Sequence, residues 1–142
     1  MKGFTTVDTE ERGGGEEEML LEELTGRIID AAMKVHSTLG PGLLESTYEA
    51  CLLFELHRRG LKAVRQIELP VTYDGVRIDC GYRVDLLVED QVVVELKAVE
   101  KMIPLYQAQL LSYLKLSGKK VGLLINFNVM HLKDGIKRIV NG

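Results

Sequence analysis

The sequence has no long apolar run, only two cysteines and no phosphate-binding loop. No stretch approaches the roughly 18 consecutive apolar residues of a membrane-spanning helix, so we expect no membrane partner. Cys51 and Cys80 lie far apart and do not have the spacing of a metal-binding pair. The glycine-containing segments 13–15 (GGG) and 40–42 (GPG) lack the pattern of a loop that cradles nucleotide phosphates. The acidic N-terminus shows no signal-peptide pattern, so we expect a reducing, cytoplasmic setting.

Charge is unevenly distributed along the 142 residues, although the hydrophobic content of 46% is typical of a soluble globular protein. Residues 1–24 carry eight acids and two bases, whereas residues 25–142 carry 13 acids and 16 bases. The second part is therefore mildly basic, which is compatible with a phosphate-rich partner. We interpret residues 1–18 as a flexible acidic, glycine-rich leader and residues 19–142 as a single domain.

The rest of the chain alternates between helical and extended patterns, which predicts an α/β domain with a mixed β-sheet flanked by α-helices. Apolar residues at helical spacing predict helices over residues 22–36, 43–59 and 105–116. Extended patterns predict strands over residues 62–73 and 76–79, a hairpin over 82–97, and a strand over 121–127. The third helix would connect the second hairpin strand to the last strand, so those two strands are predicted to be parallel. Pro70 indicates an edge position or a kink, and residues 131–140 have no clear assignment.

The predicted hairpin over residues 82–97 carries two carboxylates inside apolar strands. A carboxylate in such a strand is costly to desolvate unless something compensates for it. If the turn contains three residues, 89–91, Asp85 lies opposite Glu95. A two-residue turn would place the two carboxylates on opposite faces of the sheet. A shared site therefore requires the longer turn or a bulge.

Glu95 and Lys97 share one face of the second hairpin strand because side chains alternate along a strand. Two carboxylates at one place repel each other and favour a bound cation, and oxygen ligands suit Mg²⁺ or Mn²⁺. A lysine beside the metal can orient or deprotonate a water, or neutralise charge on a phosphate. The alternative is a salt-bridged hairpin, in which Asp85 or Glu95 pairs with Lys97 or Arg83.

Further candidates come from the helices. Glu45 lies in the first turn of the second helix and is either a member of the acidic site or an acid favoured there by the helix dipole. Tyr48 shares its face. His36 faces the same region or is a capping or surface histidine. Gln109 and Tyr113 lie four apart on the third helix, as a site-supporting pair or as an ordinary helix surface with a half-buried tyrosine.

These pieces, in this order, resemble a known group of proteins. Residues 42–48 (GLLESTY) resemble the signature of the GxxExxY proteins, which belong to the PD-(D/E)XK nuclease superfamily. Asp85 followed by residues 95–97 (ELK) resembles the split acidic motif of that superfamily. Residues 109–113 resemble the Gln-x-x-x-Tyr helix of its RecB-like branch. The resemblance covers residues 24–127, which is most of the chain.

The resemblance implies a restriction-endonuclease-like core with the active site at one end of the central hairpin. Asp85 and Glu95 would bind the divalent metal, and Glu45 and the Leu96 backbone carbonyl would be further ligands. Lys97 would position the attacking water or stabilise the transition state. The remaining candidates for binding substrate or supporting the site are Gln109, Tyr113, Tyr48 and His36.

The predicted function is a divalent-metal-dependent nuclease that hydrolyses phosphodiester bonds of DNA or RNA, with Mg²⁺ or Mn²⁺ as cofactor. One alternative is a catalytically weak or inactive module that keeps the nuclease fold and binds nucleic acid or protein. Another is an enzyme that acts on a phosphate-bearing small molecule, which only the metal cluster favours. Nucleic acid is the expected partner, and homodimer formation is left open.

Overall fold

Three α-helices and five strands make up residues 20–142, the part of the chain that this computed structural model describes. The helices are α1 (Leu21–Leu39), α2 (Glu45–Arg58) and α3 (Pro104–Ser117). The strands are β1 (Ala63–Tyr73), β2 (Val76–Val88), β3 (Val92–Lys97), β4 (Val121–Asn126) and β5 (Ile136–Val140). A 3-10 helix, Leu132–Gly135, precedes β5. The predicted leader, residues 1–18, lies outside the described residues.

The strands form one mixed sheet in the order β1-β2-β3-β4-β5. β3 and β4 are parallel, and the other neighbouring pairs are antiparallel. α3 provides the crossover between the two parallel strands. The predicted α/β class with a mixed, helix-flanked sheet is therefore confirmed, as is the parallel pair.

The two faces of the sheet have separate apolar cores. One core joins α1 and α2 to the sheet, with Leu24, Leu52 and Leu86 among its fully buried members. The other joins the opposite face to α3 through residues such as Leu110 and Leu124. Every residue of β4 is buried, as its continuous apolar run predicts. The two cores support the ends of β2 and β3, where the candidate residues lie.

Three details of the strands differ from or refine the sequence prediction. β2 runs unbroken from Val76 to Val88 and contains Gly81, which has φ of 79°, whereas the sequence predicted a strand that ends at residue 79 and a separate hairpin from residue 82. Pro70 lies at a register shift in β1, which is an edge strand, so the edge position inferred from the proline is confirmed. Residues 136–140, left unassigned, form the other edge strand, β5.

Within the described residues, no helix is both long and apolar enough to cross a membrane. The structure contains one copy of the chain, so homodimer formation stays a prediction, as does the cytoplasmic setting.

Candidate active site

The turn between β2 and β3 sets the register of the central hairpin. Glu89 and Asp90 both adopt left-handed conformations, with φ of 54° and 56°. The Gln91 amide donates a hydrogen bond to the Val88 carbonyl at 2.9 Å. Val88 then pairs with Val92, so the connection contains three residues, as the shared site requires. The register continues toward the position where Asp85 and Glu95 lie opposite each other.

Asp85 and Glu95 replace the next backbone pairing with hydrogen bonds that their side-chain carboxylates accept from backbone amides. The regular pairing of β2 with β3 ends at Leu86 and Val94. Beyond it, the Asp85 amide donates to Glu95 Oε2 at 2.9 Å. The Leu96 amide donates to Asp85 Oδ2, also at 2.9 Å. The two carboxylates are therefore side by side at one end of the hairpin.

Three carboxyl groups influence one another at this position. Burial, and then the negative charge of Asp85, raises the pKa of Glu95 to about 8. Burial is also the main cause that raises the pKa of Asp85. Glu45 is exposed as a whole residue, but partial burial of its carboxyl and the charge of Asp85 raise its pKa as well. We call Glu45, Asp85 and Glu95 the acidic cluster; a cation bound there would relieve its repulsion.

Lys97 places its ammonium beside the acidic cluster. Its positive charge opposes the rise in pKa of all three carboxyl groups. Nζ lies 4.2 Å from the centroid of the Tyr106 ring, which belongs to α3. Tyr106 was not among the predicted site residues; its position about two turns before Tyr113 on the same helix was the available signal.

Tyr48 supports the start of α2 from inside the core. Its hydroxyl donates to the Gly40 carbonyl at 2.6 Å and accepts a hydrogen bond from the Leu43 amide at 3.1 Å. Its ring, which is fully buried, stacks on Phe127 with centroids 4.5 Å apart. These contacts fix the loop that leads into Glu45 from inside the core.

The backbone around Lys97 is fixed by the end of β4. The Phe127 amide donates to the Lys97 carbonyl at 2.9 Å. The buried Asn126 side chain accepts from the Val99 amide and donates to the Val99 carbonyl, both at 3.0 Å. Asn126 was not singled out from the sequence, although a polar residue ending the apolar β4 run was a usable signal. Asn126 therefore holds the segment that leaves the candidate site.

Glu49 and Gln66 also belong to this site and were missing from the predicted set. Glu49 follows Glu45 by one helical turn and is buried. The charge of Glu49 raises the pKa of both Asp85 and Glu45. The Gln66 amide nitrogen lies 3.0 Å from Glu49 Oε1 and 3.4 Å from Asp85 Oδ1. The helical spacing of Glu45 and Glu49 was visible in the sequence, but nothing there identified Gln66.

Tyr113 and Gln109 lie next to the acidic cluster on α3. Tyr113 is buried, and its pKa is raised by burial first and by the charge of Glu95 second. Gln109 is exposed and hydrogen-bonds to the Tyr113 hydroxyl. The centroid of the exposed Tyr82 ring lies 6.0 Å from the centroid of the Tyr113 ring. The pair from the third helix is thus brought to the site.

His36 has a different position from the other candidates. His36 lies near the end of α1, and its Nε2 is 2.8 Å from the Val129 carbonyl. It also lines an open surface pocket, of about 860 Å³, together with Lys34, Met130 and His131. The structure therefore places His36 against the loop that follows β4, and it is not brought into the acidic cluster.

The oxygen donors of the acidic cluster are of the chemical type that a hard divalent cation prefers. Carboxylate and carbonyl oxygens are the ligands that Mg²⁺ and Mn²⁺ prefer, usually with waters in the remaining positions. Asp85 and Glu95 supply two adjacent carboxyl groups, whose pKa values are raised first by burial and then by neighbouring carboxylates, so a bound cation would favour their charged forms. Within residues 20–142, no three His, Cys, Asp or Glu side chains are grouped closely enough to hold a metal by themselves.

A family model of the PD-(D/E)XK nuclease superfamily matches residues 22–139, from the start of α1 into β5. The five-stranded mixed sheet with flanking helices is consistent with the restriction-endonuclease-like α/β fold. The chain belongs to this superfamily, whose nucleases generally use divalent metals. Comparison with curated proteins and with solved structures gave no match. The finer assignment to the GxxExxY proteins stays a prediction.

Proposed function

We propose that this protein is a divalent-metal-dependent nuclease that hydrolyses phosphodiester bonds of DNA or RNA. The observation that carries the proposal is the side-by-side arrangement of Asp85 and Glu95 at the end of the central hairpin. Both groups have a raised pKa, and Lys97 lies beside them. Membership of a nuclease superfamily supports the same reaction type.

The proposed metal ligands are Asp85, Glu95, Glu45 and the backbone carbonyl of Leu96. When bound there, Mg²⁺ or Mn²⁺ would supply a coordinated water of lowered pKa and a positive charge beside the phosphate. Glu45 approaches the site from α2, and its carboxyl accepts a hydrogen bond from the Ala98 backbone. The proposed ligands therefore come from two strands and one helix. Because no three such side chains within residues 20–142 are grouped closely enough for a metal, Glu45 would join Asp85 and Glu95 only on metal binding.

Lys97 is proposed to act on the phosphate and the attacking water. Hydrolysis forms a bond from the water oxygen to phosphorus and breaks the bond to the leaving oxygen, while negative charge is spread over the other phosphate oxygens. An ammonium beside the carboxylates can stabilise that charge and orient the water. The Tyr106 ring under Nζ restricts where this ammonium lies.

The substrate is proposed to lie along α3. Gln109 is exposed and would contact it, whereas the buried Tyr113 would brace Gln109 and the acidic cluster. The mildly basic balance of residues 25–142 is compatible with a nucleic acid partner.

The direct test measures cleavage of plasmid DNA, single-stranded DNA and RNA with Mg²⁺, with Mn²⁺ and with a chelator. The variants are Asp85→Asn and Lys97→Met, and the control is Glu68→Gln, which changes an exposed carboxylate on β1. We expect the wild type and Glu68→Gln to cleave at least one substrate in a metal-dependent way. Each site variant should lose at least about 100-fold in rate. Equal rates in all four proteins would identify a contaminating nuclease and reject the proposal.

A binding module with weak or no turnover is the second candidate. It is favoured by the occupation of both carboxylates, because Asp85 and Glu95 already accept hydrogen bonds from backbone amides. Calorimetric titration with Mn²⁺ and nucleic-acid binding measured against salt concentration would separate the two candidates. Salt-dependent binding of nucleic acid without metal-dependent cleavage would favour the binding module.

A further inference from the structure

A residue in the middle of β1 has an unusual backbone conformation. Gln66 has φ of 52°, in the left-handed region that disfavours residues with a Cβ atom. The other described non-glycine residues with positive φ, Asp74, Glu89 and Asp90, all lie in hairpin turns. Among the described residues, Gln66 is the only non-glycine residue with positive φ that lies within a strand. Such outliers concentrate at functional sites, so its contacts are informative.

The pairing of β1 with β2 is interrupted at the same place. Arg65 pairs with Leu86 and Ile67 pairs with Val84, but Gln66 and Asp85 between them are not paired. Leu86 belongs to the core under α1 and α2, whereas Val84 belongs to the core under α3. Residues two apart in a regular strand share one face, so the alternation of side chains shifts by one residue at Asp85.

The Gln66 side chain links two carboxylates at this irregularity. Its Nε2 lies 3.0 Å from Glu49 Oε1 and 3.4 Å from Asp85 Oδ1, so one amide group donates in both directions. The other oxygen of Glu49 accepts from Arg65 Nε at 2.9 Å, and the other oxygen of Asp85 accepts from the Leu96 amide. Both oxygens of Asp85 therefore have a donor, which fixes the plane of its carboxylate.

We propose that Gln66 is a positioning residue of the metal site, which orients the Asp85 carboxylate by bridging it to Glu49. This inference rests on the proposed nuclease function. A neutral amide suits the place, because a carboxylate would add charge between two acids and an apolar side chain would leave Asp85 Oδ1 without this donor. Mutation of a residue that hydrogen-bonds to a metal ligand typically weakens metal affinity about 10- to 100-fold. The left-handed backbone is what turns the amide toward Asp85.

The test variant is Gln66→Gly, because glycine accepts the left-handed backbone and removes only the side chain. Its matched control is Asp74→Gly, the same type of change at an exposed residue with φ of 51° in the β1–β2 turn. Three quantities are measured for each protein: thermal unfolding without metal, Mn²⁺ affinity by calorimetry, and kcat and KM for cleavage. Gln66→Leu provides a second variant that keeps bulk at the position.

We expect Gln66→Gly to unfold at the wild-type temperature or above it, yet to bind Mn²⁺ about 10- to 100-fold more weakly. Its kcat should fall at metal concentrations that saturate the wild type, with KM for nucleic acid unchanged. Asp74→Gly should likewise unfold at the wild-type temperature or above it, but it should match the wild type in Mn²⁺ affinity, kcat and KM. Wild-type Mn²⁺ affinity and kcat in both Gln66 variants would overturn the positioning role while leaving the nuclease proposal intact. A wild type that neither binds Mn²⁺ nor cleaves would instead reject the proposed function.

Discussion

Replacing Glu95 with glutamine is expected to stabilise the metal-free protein while removing its activity. The pKa of Glu95 is raised from 4.5 to about 8 by burial and by Asp85. Between these two pH values the folded state keeps the proton that the unfolded state has lost. The stability of the wild type therefore falls as pH rises from about 4.5 to about 8. Glutamine does not titrate and keeps an oxygen that can accept from the Asp85 amide.

The size of the effect follows from the pKa difference. One pKa unit corresponds to about 1.4 kcal/mol, so the raised pKa costs the fold about 3 kcal/mol at pH 7 and about 4 kcal/mol at pH 8. Glu95→Gln should therefore exceed the wild type by up to these amounts, and the difference should vanish near pH 4.5. At about 2–4 °C per kcal/mol for a chain of this size, the unfolding temperature should rise by several degrees at pH 7.

The assay is chemical and thermal unfolding of the metal-free wild type, Glu95→Gln and the exposed control Glu68→Gln at pH 5, 7 and 8. A saturating divalent ion should stabilise the wild type, by about 2.7 kcal/mol at 100 times Kd, and should leave Glu95→Gln nearly unchanged. A variant that is no more stable than the wild type at pH 8, or that gains equally at pH 5, would refute the view that Glu95 is an electrostatically strained carboxylate.

Three further predictions concern Tyr48, a pair of glycines and Lys97. Tyr48→Phe should lower the free energy of unfolding by about 1–2 kcal/mol and reduce cleavage without abolishing it, because the loop before Glu45 loses its hydroxyl contacts but keeps the stacked ring. Retention of full stability and rate on denaturant titration and kinetic assay would contradict this role. Gly135→Ala should destabilise by about 1–3 kcal/mol, since its Cβ would collide with the Asn126 carbonyl, whereas Gly26→Ala, with open space around it, should stabilise α1 by about 0.5–1 kcal/mol. Matching unfolding midpoints for those two variants would refute the packing argument. Lys97→Met should reduce kcat at least about 100-fold and leave KM within a few-fold, as measured in steady-state cleavage; a change confined to KM would make Lys97 a substrate-binding residue instead.

The sequence predicted the hairpin because its apolar strands and polar turn are local signals, but it left the register open between a two-residue and a three-residue turn. The structure shows a three-residue connection, 89–91, which places Asp85 opposite Glu95. β5 could not be assigned in the same way, because Ile136–Val140 is short, mixed in charge and acquires its structure by pairing with β4.

The part of the candidate site that depends on contacts between distant segments was less predictable. Gln66 reaches Asp85 and Glu49 from a left-handed backbone conformation inside β1, and no residue pattern in the sequence predicts that conformation. The position of His36 shows the converse, since the end of α1 turns its ring toward Val129 and not toward Glu45. Helical spacing placed Tyr48 on the face of Glu45, but only tertiary packing on Phe127 shows that it is a support.

The hydrogen bonds from the Asp85 amide to Glu95 Oε2 and from the Leu96 amide to Asp85 Oδ2 end the hairpin with the proposed catalytic groups themselves. Fraying of β2 from β3 at this end would separate both carboxylates in one step, so competence for metal capture and local unfolding are linked at this position. The amide protons of Asp85 and Leu96 are thus natural reporters, whose exchange with solvent tracks how often the site comes apart.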